Sequence, residues 1–132
     1  MNKKDKVALG KSNRQWGEYC EQLAADYFLK EGYVIRERNW RMGKLEIDLI
    51  LEKDRTIIFV EVKARDGNNA DPIDAVDFKK RRRTINAADV YMGRLNILYQ
   101  YRFDIYAVKG NKDKYETFHL ADAFIPEVNG GK

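Results

Sequence analysis

The sequence predicts an α/β fold in which a mixed β-sheet lies between helices. Three observations carry that expectation. Leu45–Arg65 (LEIDLILEKDRTIIFVEVKAR) reads as two apolar strands joined by a short polar turn at Glu52–Arg55, a hairpin by length and composition. Helical periodicity marks the segments before and after it. The resulting order, helix, three strands, helix and one or two strands, suits a sheet covered by helices.

The first helix is expected to start at a cap, Ser12 or Asn13, run through Lys30 and stop at Gly32. Trp16, Tyr19, Cys20, Leu23, Ala24 and Tyr27 recur at helical spacing and should dock on the sheet, as core rather than as a ligand platform. Gly17 costs helix stability, and a small residue there would permit close approach of another backbone. Tyr33–Arg38 reads as an outer strand, and Met42–Lys44 as the turn into the hairpin. After Lys63 comes a polar loop with strong turn chemistry, ending at Asp71 as a cap and Pro72 as the first residue of a second helix. That helix should reach Tyr91 or Met92, with Gly93 ending it. Tyr101–Val108 is a further strand, Lys109–Lys114 a turn, Tyr115–Leu120 a short edge strand, and Ala121–Phe124 a brief helical turn before Pro126.

Strand alternation places Glu46 and Asp48 on one face with Ile50, and Glu61 and Lys63 on one face with Phe59. Ile58, Val60 and Val62 take the other face. Charges on strands this apolar are costly unless they pair or hold a metal. Two readings fit Asp48, Glu61 and Lys63. An exposed cross-strand ion pair would contribute about 0–1 kcal/mol. A hard-metal site would use the carboxylate oxygens that Mg²⁺ or Mn²⁺ prefers, with Lys63 positioning a water or offsetting charge on a phosphate. Glu18, beside Gly17, reads from the sequence as a first-turn acid favoured by the helix dipole.

The chain has 132 residues, enough for one domain with a core of its own. The expected layout is a disordered N-terminus over residues 1–12, a single domain over 13–127 and a flexible tail over 128–132. Its 25 basic and 21 acidic residues give +4, a mild excess compatible with nucleic acid. One cysteine, Cys20, excludes an intramolecular disulfide and, with a single histidine, leaves a Cys/His zinc site very poorly supported. Cys20 reads as core, and His119, alone near the C-terminal end, as structural. No apolar run is long enough to span a bilayer, and the polar start lacks a secretory signal, so a cytoplasmic protein with no membrane partner is expected. The run Lys79–Arg83 surrounds its helix axis, and most of it should be solvated. Lys80 differs, because Ile73, Val76, Thr84, Ala87, Ala88 and Tyr91 fall on its side; from there it can snorkel out to solvent or reach a phosphate beside the carboxylates.

These pieces together resemble the PD-(D/E)xK nuclease superfamily with its restriction-endonuclease-like core. More closely, they resemble the YraN family of uncharacterised bacterial proteins, similar to archaeal Holliday-junction resolvases. The matching residues are Gly17-Glu18 with Ala24 or Ala25, Arg38-Asn39-Trp40-Arg41, Glu46-Ile47-Asp48-Leu49-Ile50, Phe59-Val60-Glu61-Val62-Lys63-Ala64-Arg65, Lys80, Ala88 and Arg102-Phe103-Asp104. Two positions depart: Leu45 stands where the family often has glycine, and Ile47, not proline, precedes Asp48.

The resemblance implies a fold in the order αβββαβ with room for an extra edge strand, and a metal-dependent endonuclease acting on DNA rather than RNA, branched or structured DNA included. It implies that Asp48 and Glu61 bind Mg²⁺ or Mn²⁺, that Glu18 completes the site from the helix, and that Lys63 orients or activates the attacking water. Glu46 is a secondary candidate or a structural partner of Arg41 or Arg65. Lys80, Arg65 and Arg41 would contact nucleic acid, and Arg102 with Asp104 would form an internal structural pair. Resolvase-like relatives work as dimers, which leaves a homodimer open. The alternative is a nucleic-acid-binding module that keeps the core without turnover; a protein-interaction scaffold ranks below both.

Overall fold

The computed structural model describes residues 3–65, 78–95 and 98–124, with side chains described for 14–65, 80–95 and 98–123. Helix α1 (Lys3–Lys30) is followed by β1 (Val34–Met42), β2 (Leu45–Lys53) and β3 (Thr56–Arg65), then α2 (Phe78–Leu95), β4 (Gln100–Asn111) and β5 (Lys114–Phe124). The strands form one sheet in the order β1-β2-β3-β4-β5. Neighbours are antiparallel except β3 and β4, which run parallel. Parallel neighbours need a crossover, and α2 lies within it. The expected α/β architecture with a mixed sheet and an added edge strand is therefore observed.

Local chemistry accounts for the joints. Gly32 has φ +91°, Tyr33 N–H donates to the Phe28 carbonyl at 2.9 Å, and Gly32 N–H donates to that of Leu29 at 3.1 Å. This is a Schellman stop, closed by the edge-to-face contact of Phe28 with Tyr33 at 5.1 Å. The β2–β3 turn is tighter than expected, Asp54 and Arg55 alone, both at positive φ (50° and 61°), as a hairpin of matching twist requires.

Two apolar layers cover the sheet. On the α1 side, Cys20, Ala24, Ala25 and Phe28 pack on Leu49, Leu51, Ile58, Val60, Tyr106 and Val108. On the α2 side, Ala87, Ala88 and Tyr91 pack on Ile47, Ile50, Ile57, Phe59 and Phe103. The expected split of β3 holds, and Cys20 is core; burial pushes its thiol up to about 12.

Several expectations are corrected. Helix α1 is already helical from Lys3 and passes through Ser12 and Asn13, where a cap was expected. An added Cβ at Gly17 would meet nothing within 4 Å, so no close backbone approach explains that glycine. Helix α2 continues through Gly93 to Leu95, because its buried stripe, not the glycine, decides where packing ends. Ala121–Phe124 is strand, paired to β4 beyond a bulge, rather than a helical turn. Asp71, Pro72, the loop before them and the C-terminal tail lie outside the described residues. Among the described residues no helix is long and apolar enough to cross a membrane.

Candidate metal centre

Strands β1 and β2 pair without a change of register from Arg38↔Leu49 to Trp40↔Ile47, yet Asn39 and Asp48 between them are not paired. Asn39 is left-handed, φ 53°. Leu49 belongs to the α1-side layer and Ile47, two residues earlier, to the α2-side layer. The partner strand does the same: Arg38 bonds Gln22 of α1 at 3.0 Å, whereas Trp40 stacks edge-on against Tyr91 of α2 at 5.3 Å. Both strands thus swap faces at this rung. This corrects the alternation drawn from the sequence: Ile50 faces α2, while Glu46 lies beside Glu21 of α1.

Strand β2 leaves β3 at the same point, pairing being complete only as far as Leu49↔Val60. The freed Val62 N–H donates instead to Asp48 Oδ2 at 2.8 Å. Asp48 therefore stands where the strands part, within reach of groups from both faces. One carboxylate oxygen from each of Glu21, Glu46 and Asp48 lies within 4.8 Å of the others. Burial raises the Asp48 carboxyl to about 7, with Glu21 and Glu61 adding to the rise and the Val62 N–H and Lys80 opposing it. Glu21 is also raised, by burial first and then by Glu46. Three crowded carboxylates, two of them resisting ionisation, form a donor set suited to a hard divalent cation.

Glu61 extends from β3 towards α2 and forms an ion pair with Lys80. Lys63, two residues on, is only 5% exposed and makes no hydrogen bond or ion pair among the described residues. Its pKa is lowered by burial, and Arg65, Lys80 and Arg81 push the same way against Glu61. Between the parted strands and α2 lies a cleft of about 410 Å³, lined by Lys44, Glu46, Asp48, Glu61, Lys80 and Arg83 among others.

The structure thus brings Asp48, Glu61, Lys80 and Glu46 together. Glu18 is exposed and stands outside the carboxylate group; the helical acid beside Asp48 is Glu21, one turn later. Arg41 pairs with Glu46 at 3.1 Å, and Arg65 is exposed and donates to the carbonyl of Ala64. The signal for Glu21 was in the sequence: Ala24, Ala25 and Phe28 follow at three, four and seven residues, so the acid shares the buried stripe. Arg102 and Asp104 form the expected internal pair, 2.9 Å apart. His119 is not alone, since it bonds Asp104 Oδ2 at 2.8 Å and Tyr27 Oη at 2.9 Å.

A family model for UPF0102, an uncharacterised protein family, matches residues 20–108. The chain belongs to UPF0102. A UPF0102 protein of Bacteroides thetaiotaomicron is 39% identical over 117 residues, 88% of this chain and 97% of the relative. One of Bacteroides fragilis is 43% identical over 113 residues, 85% and 93% of the two chains. One of Clostridium perfringens strain 13 is 42% identical over 121 residues, 88% and 98%.

Proposed function

We propose that this UPF0102 protein is a metal-dependent endonuclease that hydrolyses phosphodiester bonds in DNA, branched or structured DNA included. The observation that supports this best is Asp48, held at the parting of β2 and β3, with carboxylates from both faces within reach and Lys63 buried beside Glu61. Asp48, Glu21 and Glu46 would hold Mg²⁺ or Mn²⁺, with Glu61 joining when Lys80 releases it. The ion supplies Lewis-acid stabilisation of charge on the phosphoryl oxygens and makes water more acidic.

The chain's own residues do the rest. Val62 N–H fixes the Asp48 carboxylate through Oδ2, so that the other oxygen is directed independently of solvent. Lys63, short of water and of an acid partner of its own, holds a water beside the phosphorus and takes part in its proton loss through Nζ. Water attacks in line, the P–O3′ bond breaks and the 3′-hydroxyl leaves with a proton. A 5′-phosphate remains, as the nuclease resemblance implies.

The test is thermal unfolding with and without millimolar Mn²⁺, joined to cleavage of labelled linear and branched DNA. An ion at about 100 times its Kd adds about 2.7 kcal/mol, which should appear in the wild type and vanish in Asp48→Asn. Lys63→Ala should keep the Mn²⁺ stabilisation and lose cleavage by roughly 10²-fold or more. Wild-type cleavage by Lys63→Ala, or no cleavage of any DNA by a wild type that binds Mn²⁺, would overturn turnover and leave a binding module.

A further inference from the structure

The cleft beside Asp48 carries cations that its acids do not use. Glu61 is matched by Lys80 and Glu46 by Arg41, while Asp48 takes the Val62 N–H. Asp104, which also reaches the cleft, is matched by Arg102. Lys44 and Arg83 remain, both exposed and both lining the cleft, and neither makes a hydrogen bond or ion pair among the described residues. They sit on different walls. Lys44 is in the turn that joins β1 to β2; Arg83 is on α2, one turn after Lys80. Thr84, the neighbouring polar residue on that wall, is occupied, its hydroxyl donating to the Lys80 carbonyl at 2.9 Å.

We infer that Lys44 and Arg83 are two phosphate-gripping positions on either side of the carboxylates, and that the ligand is one strand of DNA crossing the cleft between them. The inference rests on the nuclease reading above and adds the path of the substrate to it. Charge supports it: Lys80 offsets Glu61, Arg41 offsets Glu46, Arg102 offsets Asp104, and a divalent cation would offset Glu21 and Asp48, so Lys44 and Arg83 leave the cleft cationic, a match for successive phosphodiesters rather than for a neutral or cationic ligand. Size supports it too. About 410 Å³ is the scale of a small-ligand pocket, which suits a few nucleotides of one strand rather than both strands of a duplex. Arg83 is suited to this role because its planar guanidinium can hold two oxygens of one phosphate, and Lys44 acts as a point charge.

The experiment measures anisotropy of a labelled single-stranded oligonucleotide of about a dozen nucleotides, in EDTA, across a salt series. It compares wild type with Lys44→Gln, Arg83→Gln and, as a control, Arg94→Gln at the exposed far end of α2. Each cleft variant should lower the slope of log K against log salt by about 0.7, the value for one phosphate on a single strand, and Arg94→Gln should leave it unchanged. Unmeasurable wild-type binding, wild-type slopes in both cleft variants, or an equal loss in Arg94→Gln would overturn the assignment. The Mn²⁺ melt separates this from the nuclease reading. Lowered slopes without Mn²⁺ stabilisation would keep the strand path and remove the metal-dependent chemistry; stabilisation with unchanged slopes would do the reverse. All three substitutions are at exposed positions, and unchanged circular dichroism spectra exclude unfolding as the cause.

Discussion

Asn39 stands opposite Asp48 at the one unpaired rung between Arg38↔Leu49 and Trp40↔Ile47, and its φ of 53° lets both strands change faces there. A left-handed backbone suits asparagine or glycine and costs a β-branched residue roughly 1–2 kcal/mol. Asn39→Gly should therefore unfold in urea close to wild type, while Asn39→Val should lose about 1–2 kcal/mol. Because that rung aims Asp48, the valine variant should also lose much of its Mn²⁺ stabilisation. Equal stability of Asn39→Val and wild type would show that the face swap does not depend on this backbone conformation.

The raised Asp48 carboxyl has a sign that can be measured. It is raised to about 7 from the ordinary aspartate value of about 4, so between those values the folded protein holds a proton that the unfolded chain has lost. Without metal, stability falls as pH rises from about 4 through 7, by an amount on the order of 3–5 kcal/mol from this group. Asp48→Asn should be flatter over that window and more stable than wild type at pH 8. Metal must displace the proton, so Mn²⁺ affinity should rise about tenfold per pH unit below 7 and level off above it. Urea unfolding and calorimetric titration at pH 5.5, 6.5 and 8 read both; Mn²⁺ affinity independent of pH would remove Asp48 from the ligand set.

Much of this was legible before the structure. The hairpin at 45–65 announced itself through apolar runs around a turn, and Gly32 through the stop it supplies to α1. Asp48, Glu61 and Lys80 stand out in the sequence as charges set in apolar surroundings. What stayed hidden depended on tertiary placement. Period-two alternation carries no term for an unpaired rung, so it put Glu46 and Ile50 together. Glu18 and Glu21 are both acids near the same small residues, and only the docking angle of α1 selects Glu21. Lys80 and Arg83 belong to one run of five basic residues, and that Arg83 joins Lys80 in lining the cleft emerges once α2 has a fixed rotation.

Asp104, on β4, predicts a different pH response. It is 1% exposed, and burial alone would raise its carboxyl. Bonds from His119, Arg102 and the Asp122 N–H at 3.0 Å outweigh that and hold it below the ordinary carboxylate range. A lowered folded pKa gives stability that is present above the unfolded value, near 4, and lost as pH falls through the folded one. Asp104→Ala should cost about 3–5 kcal/mol at pH 7, because Arg102 keeps its charge without an acid partner. The difference between wild type and Asp104→Ala, followed by urea unfolding, should narrow below pH 4. A constant difference down to pH 2.5 would mean that packing, not charge, carries the loss.

Lys80 gives the sharpest prediction, because its ammonium holds Glu61 while its own side chain is 53% exposed. An ion pair this open to solvent stabilises by about 0–1 kcal/mol, so removing it should hardly move the melting temperature. Its effect on a divalent cation is opposite to its effect on DNA. The ammonium competes with the cation for Glu61, yet it is also placed to meet a phosphate in the cleft. In calorimetric titration without DNA, Lys80→Met should bind Mn²⁺ several-fold more tightly than wild type. In wild type, a short DNA strand that draws Lys80 away should raise Mn²⁺ affinity by a similar factor, and linkage requires Mn²⁺ to raise DNA affinity equally. Lys80→Met should lose that coupling while binding DNA more weakly. If Lys80→Met instead binds Mn²⁺ no better than wild type, Glu61 is not a ligand, and the ion rests on Glu21, Glu46 and Asp48 alone.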